Sequence, residues 1–323
     1  MNDIINTPRI LVIKLGALGD FIQALGPMKA IREHHPDAYI TLMTTAPFEN
    51  FAKECGYCDD IWIDERPKLL ALKKWIDMKA DLNNTNFTRI YDLQNNDRTN
   101  LYFKLLHKKN RPEWVGTAKG ASHRNTSKDR TAGHAFDGHV QSLKLAGIEK
   151  IGIDNLSWMK ADLTAFPTRE PYVLLVPGCA PSRPQKRWPP EKYGRLAKLL
   201  FSLGYKPLIL GTKPEKSLAD IIVATCPESR DLTGQTSLHQ IASLARNAAG
   251  AIGNDTGPMH LIGATGCPSL VLFSSDSDPQ RHLPKGKAVQ YLQKDEIETI
   301  MTEEVIQAFK PAGQPEIKTK TLH

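Results

Sequence analysis

The stretch GNDTGPMHLIGATGCPSLVLF, Gly253 to Phe273, decides the fold. Together with the residues just before it, AAGAIGND reads as an apolar strand ending in Asp255; TGP opens a helix carried by MHLIGATG, and PSLVLF supplies the next strand. This is a βαβ unit, and it implies a parallel sheet. At its turn, Asp255, Thr256 and Gly257 bring a carboxylate, a hydroxyl and backbone N–H groups to the positive end of a helix. That arrangement suits a phosphate or diphosphate. The competing reading is that Asp255 or Thr256 only caps the helix.

At the other end of the chain, RILVIKLGALGDFIQALGPMKAIREHHP begins with a strand over Arg9 to Leu15 and breaks at Gly16 and Gly19. It continues as an amphipathic helix from about Asp20, with Phe21, Ile22, Leu25, Met28 and Ile31 on one side. A glycine-rich turn thus delivers Asp20 to a helix N-terminus, where capping is again the simpler role. The turn is G-x-x-G, not G-x-G-x-x-G, and no acidic residue ends the second strand, YITLMTT. The dinucleotide fingerprint therefore fails, and hydride chemistry loses support.

Between these segments strand and helix alternate: Tyr39 to Thr45, Asp60 to Asp64, a helix near Leu69 to Lys79, and Thr88 to Leu93. The second half repeats the pattern with a strand at Tyr172 to Val176, a helix at Glu191 to Leu203, the strand PLILGT and helices around Ser217 and Leu238. WMKADLTAFPTREPY, Trp158 to Tyr172, is polar and proline-containing and reads as the linker. The expected organisation is a Rossmann-like domain over 1–160, a second over 161–310, and a loose tail over 311–323. Ligands of open parallel sheets bind beyond the carboxyl ends of the strands, where all of these motifs fall.

The two segments, with PSRPQKRWPPEKYGRLAKLL, resemble glycosyltransferase family nine, the ADP-heptose:lipopolysaccharide heptosyltransferases. The G-x-x-G-D turn is matched by Gly16 to Asp20, the K-R-W-P element by Lys186 to Pro189, and D-T-G-x-x-H-L by Asp255 to Leu261. The resemblance covers roughly 9–35 and 172–275, and nothing is carried over for about 65–165. It implies an α/β GT-B architecture, two Rossmann-like domains whose parallel sheets face a central cleft. It also implies an inverting, metal-independent transfer of heptose from ADP-heptose to the inner core of a bacterial lipopolysaccharide. Asp20 would be the general base, in part an orienting group because a helix N-terminus lowers its basicity. Lys186 would stabilise the departing diphosphate, with Arg187 sharing or taking that role. Donor contacts would come from Ser182, Asp255, Thr256, Gly257 and His260, the last equally readable as a buried structural histidine. No cofactor beyond the nucleotide sugar is implied.

The 323 residues suffice for two cores, and 41% hydrophobic with 24% charged residues is a globular composition. No membrane span or signal peptide is read: Asn2 and Asp3 replace a basic leader, so a cytoplasmic location is expected. Five scattered cysteines point to reduced thiols; Cys55 and Cys58 form a C-x-x-C whose position after a helix suits neither a thioredoxin-type pair nor a zinc site. The net charge of +7 is concentrated between Lys104 and Arg130, which hold eight basic residues and two acidic ones. Lys108, Lys109 and Arg111 in this segment are assigned to a phosphorylated glycolipid acceptor, with peripheral contact to an anionic inner-membrane surface. A solvated loop is the plainer reading, and no nucleic-acid motif accompanies the charge. Rival functions are another nucleotide-sugar enzyme, a hexosyltransferase or epimerase, and a non-catalytic nucleotide- or polyanion-binding protein.

Overall fold

Runs such as RILVI and SLVLF are too short for helices and too apolar for a surface, and each becomes an inner strand. The computed structural model describes residues 7–166 and 168–312. The expected tail lies, beyond Ala312, outside the described residues. The chain divides into two units between Asp154 and Asn155.

The first unit runs β1 (Arg9–Ile13), α1 (Leu18–His34), β2 (Tyr39–Thr44), α2 (Glu49–Cys55), β3 (Asp60–Ile63), α3 (Leu72–Asn84), β4 (Arg89–Asp92), α4 (Asp97–Leu105), β5 (Glu113–Gly116), β6 (His123–Arg124), α5 (Asp129–Ala132) and α6 (Ala135–Leu145). Its six strands are all parallel, in the order β3-β2-β1-β4-β5-β6. Leu11, Ile13, Met43, Ile90, Tyr102 and Trp114 pack into one core.

The second unit runs β7 (Tyr172–Val176), α7 (Pro190–Ser202), β8 (Lys206–Ile209), α8 (Lys216–Thr225), β9 (Arg230–Asp231), α9 (Leu238–Asn247), β10 (Gly250–Asn254), α10 (Gly257–Ala264), β11 (Ser269–Phe273), α11 (Pro279–His282), β12 (Val289–Gln293) and α12 (Thr302–Ala308). Its strands are also parallel, ordered β12-β11-β10-β7-β8-β9. Both orders are the doubly wound one, read from opposite edges. The winding reverses between β1 and β4 in one unit and between β7 and β10 in the other, and such reversals open the crevices in which α/β sheets hold ligands.

Three expectations need correction. The α1 helix is not amphipathic: Phe21 to Met28 are buried without interruption, because α6 packs along it and Gly26 abuts the Gly152 carbonyl. The helix expected from Leu69 starts at Leu72, leaving Leu69 and Leu70 in a turn before it. The division at Asp154 precedes the expected 160/161 boundary because the early linker is stapled to the second unit. There Arg246 of α9 donates to the carbonyls of Leu156 and of Met159 (2.7 Å), and the Ala161 N–H donates to Ser243 Oγ (2.9 Å).

Candidate active site

In the first unit the chain leaves β1 through Lys14, Leu15 and Gly16. Gly16 has φ +109°, and a Cβ there would lie 2.5 Å from the Phe48 ring, so strain and collision both exclude a side chain. Three neighbouring loops grip Leu15. Its N–H donates to Gln94 Oε1 (2.9 Å), while its carbonyl accepts from Thr45 Oγ1 (3.2 Å) and the Arg66 guanidinium (2.6 Å). Those partners follow β4, β2 and β3. The turn so fixed places Gly19 and Asp20 in the first turn of α1, with the Asp20 carboxylate exposed. Asp20 is not the cap, a position that belongs to Ala17.

Beneath the turn lies a buried group of ionisable side chains. Lys14 Nζ donates to the Leu93 carbonyl (3.1 Å); burial lowers its pKa, opposed by Asp20 and Asp92. Asp92, the last residue of β4, accepts from the N–H groups of Asn95 (2.8 Å) and Gln94 (3.0 Å). Burial nevertheless raises its pKa to about 6. His139 of α6 is lowered to about 3, first by burial and then by Lys14 and His134. Above the turn opens a pocket of about 660 Å³ whose walls include Leu15, Gly16, Phe48, Gln94, Arg66 and Arg98. The last two make it cationic, and neither was picked out from the sequence.

In the second unit, Lys186 and Asp255 meet. Lys186 Nζ donates to Asp255 Oδ2 (2.6 Å), and Ser277 Oγ donates to the same oxygen (2.6 Å). Asp255 is therefore engaged across the site and is not a helix cap; Thr256 holds the N-cap position of α10 but makes no capping bond with its side chain. An ammonium has three donors, so the bond to Asp255 fixes the position of Lys186 without using up its donor capacity. Below the pair, buried Asn254 uses both ends of its amide. Its Nδ2 donates to the carbonyls of Pro177 (2.8 Å) and Gly178 (3.2 Å), and its Oδ1 accepts from the Trp188 N–H (3.1 Å) and Tyr193 hydroxyl (3.0 Å). One side chain thus ties the loop after β7 to the end of β10.

The remaining donor candidates are dispersed. Gly257 begins α10, and His260 is buried one turn into it. Ser182 is exposed on the loop after β7. Arg187 lies against the Cys179 thiol, whose pKa burial raises and Arg187 opposes.

The acceptor assignment of Lys108, Lys109 and Arg111 does not fit the topology. They lie between α4 and β5, so they sit at the amino end of the first sheet, opposite the end that carries Asp20. Arg111 is also occupied, its guanidinium 4.2 Å above the Phe103 ring. Cys55 ends α2, Gly56 turns left-handed with φ +75°, and the thiols of Cys55 (3.1 Å) and Cys58 (3.7 Å) both point at the Ala52 carbonyl. All five cysteines are free thiols.

The profile of glycosyltransferase family 9 (heptosyltransferase) matches residues 75–308. The chain belongs to glycosyltransferase family 9. Lipooligosaccharide heptosyltransferase 2 of Haemophilus influenzae is 30% identical over 119 residues, 35% of this chain and 34% of that protein. The chain thus matches about a third of the length of that curated relative. Among solved structures, a family 9 glycosyl transferase from Veillonella parvula superposes with a TM-score of 0.78 at 20% identity, covering 93% of this chain and 95% of that one. E. coli heptosyltransferase WaaC with ADP-2-deoxy-2-fluoro heptose gives 0.72 at 18% identity, over 93% and 98% of the two chains. These likenesses carry the fold, the two-unit α/β GT-B architecture of family 9.

Proposed function

We propose that the protein is an inverting heptosyltransferase that moves heptose from ADP-heptose to the inner core of a lipopolysaccharide. The observation that carries this reading is the Lys186–Asp255 pair at the start of α10, held over Asn254 within the part of the chain that the family profile matches. An ammonium held in place by a carboxylate at the N-terminal end of a helix stabilises the charge that gathers on a departing diphosphate, and it does so without reorganising. Ser277 steadies the carboxylate in that role.

The first unit takes the acceptor. Asp20, exposed on a clamped turn, accepts the proton of the attacking hydroxyl as oxygen bonds to the anomeric carbon from the face opposite ADP. Arg66 and Arg98 line the adjoining pocket and receive the anionic groups of the glycolipid, the task that the charge count had assigned to Lys108, Lys109 and Arg111. The 1–160 and 161–310 division of labour follows, with its boundary moved to Asp154.

The test is transfer of labelled heptose from ADP-heptose to a heptose-deficient lipopolysaccharide, in EDTA, by the wild type and by Lys186→Ala. The expected result is metal-independent transfer by the wild type and a donor KM raised at least about tenfold in the variant, the loss of one charged contact. Heptose released as free sugar, with no acceptor product, points instead to an epimerase-like hydrolysis and overturns the reading. A shift of melting temperature by ADP that does not survive Lys186→Ala supports the nucleotide assignment independently of turnover.

A further inference from the structure

The four most exposed large apolar side chains among the described residues lie within eight positions of one another: Leu69 (81% exposed), Leu70 (93%), Leu72 (70%) and Ile76 (66%). They are not loosely held. The Ala71 N–H donates to the Lys68 carbonyl (2.9 Å), the Leu72 N–H to the Leu70 carbonyl (2.9 Å), and Trp75 Nε1 to the Lys68 carbonyl (3.0 Å). The turn is pinned by its backbone while its leucines have no packing, so the fold presents them outward. Along α3, Met78 and Leu82 supply the buried side. Leu72 and Ile76, one turn apart, form a second stripe on another side, and at 3.6 residues per turn Lys73 and Lys79 fall on either flank of it.

Such a surface has a specific chemistry. Protein-binding patches are poor in lysine and rich in aromatic residues, methionine and arginine. Here the apolar tip is aliphatic and Lys68, Lys73 and Lys79 lie beside it, while Lys74, paired with Glu65 (2.6 Å), falls with Asp77 and Asp81 on the side of α3 away from the stripe. The three lysines suit an interfacial segment whose leucines enter acyl chains while lysines meet lipid phosphates. No helix among the described residues is long and apolar enough to cross a membrane. The tip is also continuous with the acceptor pocket. It follows Arg66 directly, and Arg98 donates to the Pro67 carbonyl (3.4 Å) and lies over the Trp75 ring. The basic segment from Lys104 to Arg130, by contrast, contains none of the exposed large apolar side chains.

We propose that residues 68–79, the Leu69–Leu70 tip with the Leu72–Ile76 stripe, dock the first unit on an anionic lipid bilayer and so bring a membrane-embedded acceptor headgroup to the Arg66–Arg98 pocket. The proposal rests on the glycolipid-acceptor reading, but its test need not.

Flotation of the full chain with vesicles of phosphatidylcholine, alone or with phosphatidylglycerol, measures docking with no substrate present. The wild type binds the anionic vesicles and little of the neutral ones, and added salt weakens the binding. Leu69→Ser with Leu70→Ser weakens it about tenfold or more, since each exposed leucine removed is apolar area that no longer leaves water. Lys108→Ser with Lys109→Ser leaves it unchanged. Because these leucines are exposed, the Leu69/Leu70 variant keeps the melting temperature and its transfer rate to a delipidated, water-soluble acceptor, while transfer to vesicle-embedded acceptor falls. Absence of wild-type binding to anionic vesicles, or equal binding by the leucine variant, overturns the proposal. Concentration-dependent self-association that the leucine changes abolish, with vesicle binding intact, overturns it in favour of a contact between copies of the chain. If no acceptor is glycosylated at all, the functional reading fails while flotation still decides the docking surface.

Discussion

The last residue of β4 is Asp92 and the last residue of β10 is Asn254, equivalent positions in two sheets of the same winding. Both side chains are buried, yet they do different work. Asn254 donates to the start of the loop after β7 and accepts from the end of that loop, so a neutral amide ties the second site together. Asp92 can only accept while ionised; it draws in the amides of its own loop and lies near Lys14, which in turn acts on His139, under the turn that carries Asp20. The second unit sets a neutral amide beneath a single charged pair, Lys186–Asp255, that is itself mostly buried. The first buries its ionisable groups and leaves one carboxylate open to solvent. A site that grips a diphosphate gains from fixed charges, whereas a site that moves a proton needs a group free to change state.

The largest effect tests that open carboxylate. Asp20→Asn keeps shape and removes basicity, so turnover falls by about two to four orders of magnitude. ADP affinity, which the proposed function assigns to the other unit, stays within about twofold, a shift small against one lost hydrogen bond. Turnover within tenfold of wild type would falsify the role of Asp20 as base.

Next comes the neutral layer. Asn254→Leu orphans two carbonyls and the Trp188 N–H, leaves the Tyr193 hydroxyl only its bond to the Val176 carbonyl, and destabilises the protein by about 3 kcal/mol, the range for unpaired buried polar groups. Urea titration followed by tryptophan fluorescence measures it. A midpoint unchanged from wild type shows that the loops do not depend on this amide.

The ionisable layer gives a pH signature. The pKa of Asp92 is higher folded, about 6, than its usual 3.8, so its stabilising contribution is complete below pH 4 and is lost as the pH rises toward 6. His139 acts oppositely: lowered to about 3, its contribution is present above pH 6.5 and lost as the pH falls. The two nearly cancel in the wild type between pH 4 and 6. Asp92→Asn uncovers the histidine, so the variant gains on the wild type by about 2 kcal/mol across that window. A difference that stays constant with pH removes Asp92 from the buried charge group.

The smallest effect is expected at the amino end of the first sheet. Lys108→Ser with Lys109→Ser changes the acceptor KM by less than about twofold at physiological salt, where screening acts over about 8 Å. Arg98→Gln, at the carboxyl end, raises the same KM about tenfold, the worth of one charged contact. Equal effects of the two substitutions would show that the pocket does not discriminate the ends of the sheet.

Four strands of each sheet could be read from the sequence because most of them are contiguous apolar runs, as from RILVI to SLVLF, whereas β5, β6, β9 and β12 went unread, two of them being only two residues long and β12 largely polar and exposed. Lys186 and Asp255 were each legible as chemistry, but their pairing across 69 residues was not. Asn254 stood inside the quoted strand as an ordinary strand end, since nothing local tells a keystone from a terminator. Arg66, Gln94 and Thr45 were missed because their common partner, Leu15, is a backbone group brought to them only by folding. Charge density drew attention to Lys108 and Lys109, but a count of charges has no direction. Which end of the sheet they occupy depends on whether their loop precedes or follows a strand. The amphipathic reading of α1 failed for a related reason: its polar positions were few, and the covering helix α6 lies in a region that the motifs did not reach.

Four of the five cysteines are buried, and Cys58 alone is partly open. The neighbouring Cys55, helped by Arg32, holds the Cys58 thiol below the ordinary range against the opposing effect of burial. It follows α2 and precedes β3, so it stands at the amino end of the first sheet, away from the turn of Asp20 and the pocket of Arg66. The natural chain therefore carries a single-site handle for maleimide chemistry. A fluorophore or spin label placed there, without any engineered cysteine, would report motions of the first unit while leaving the end that carries Asp20 unobstructed.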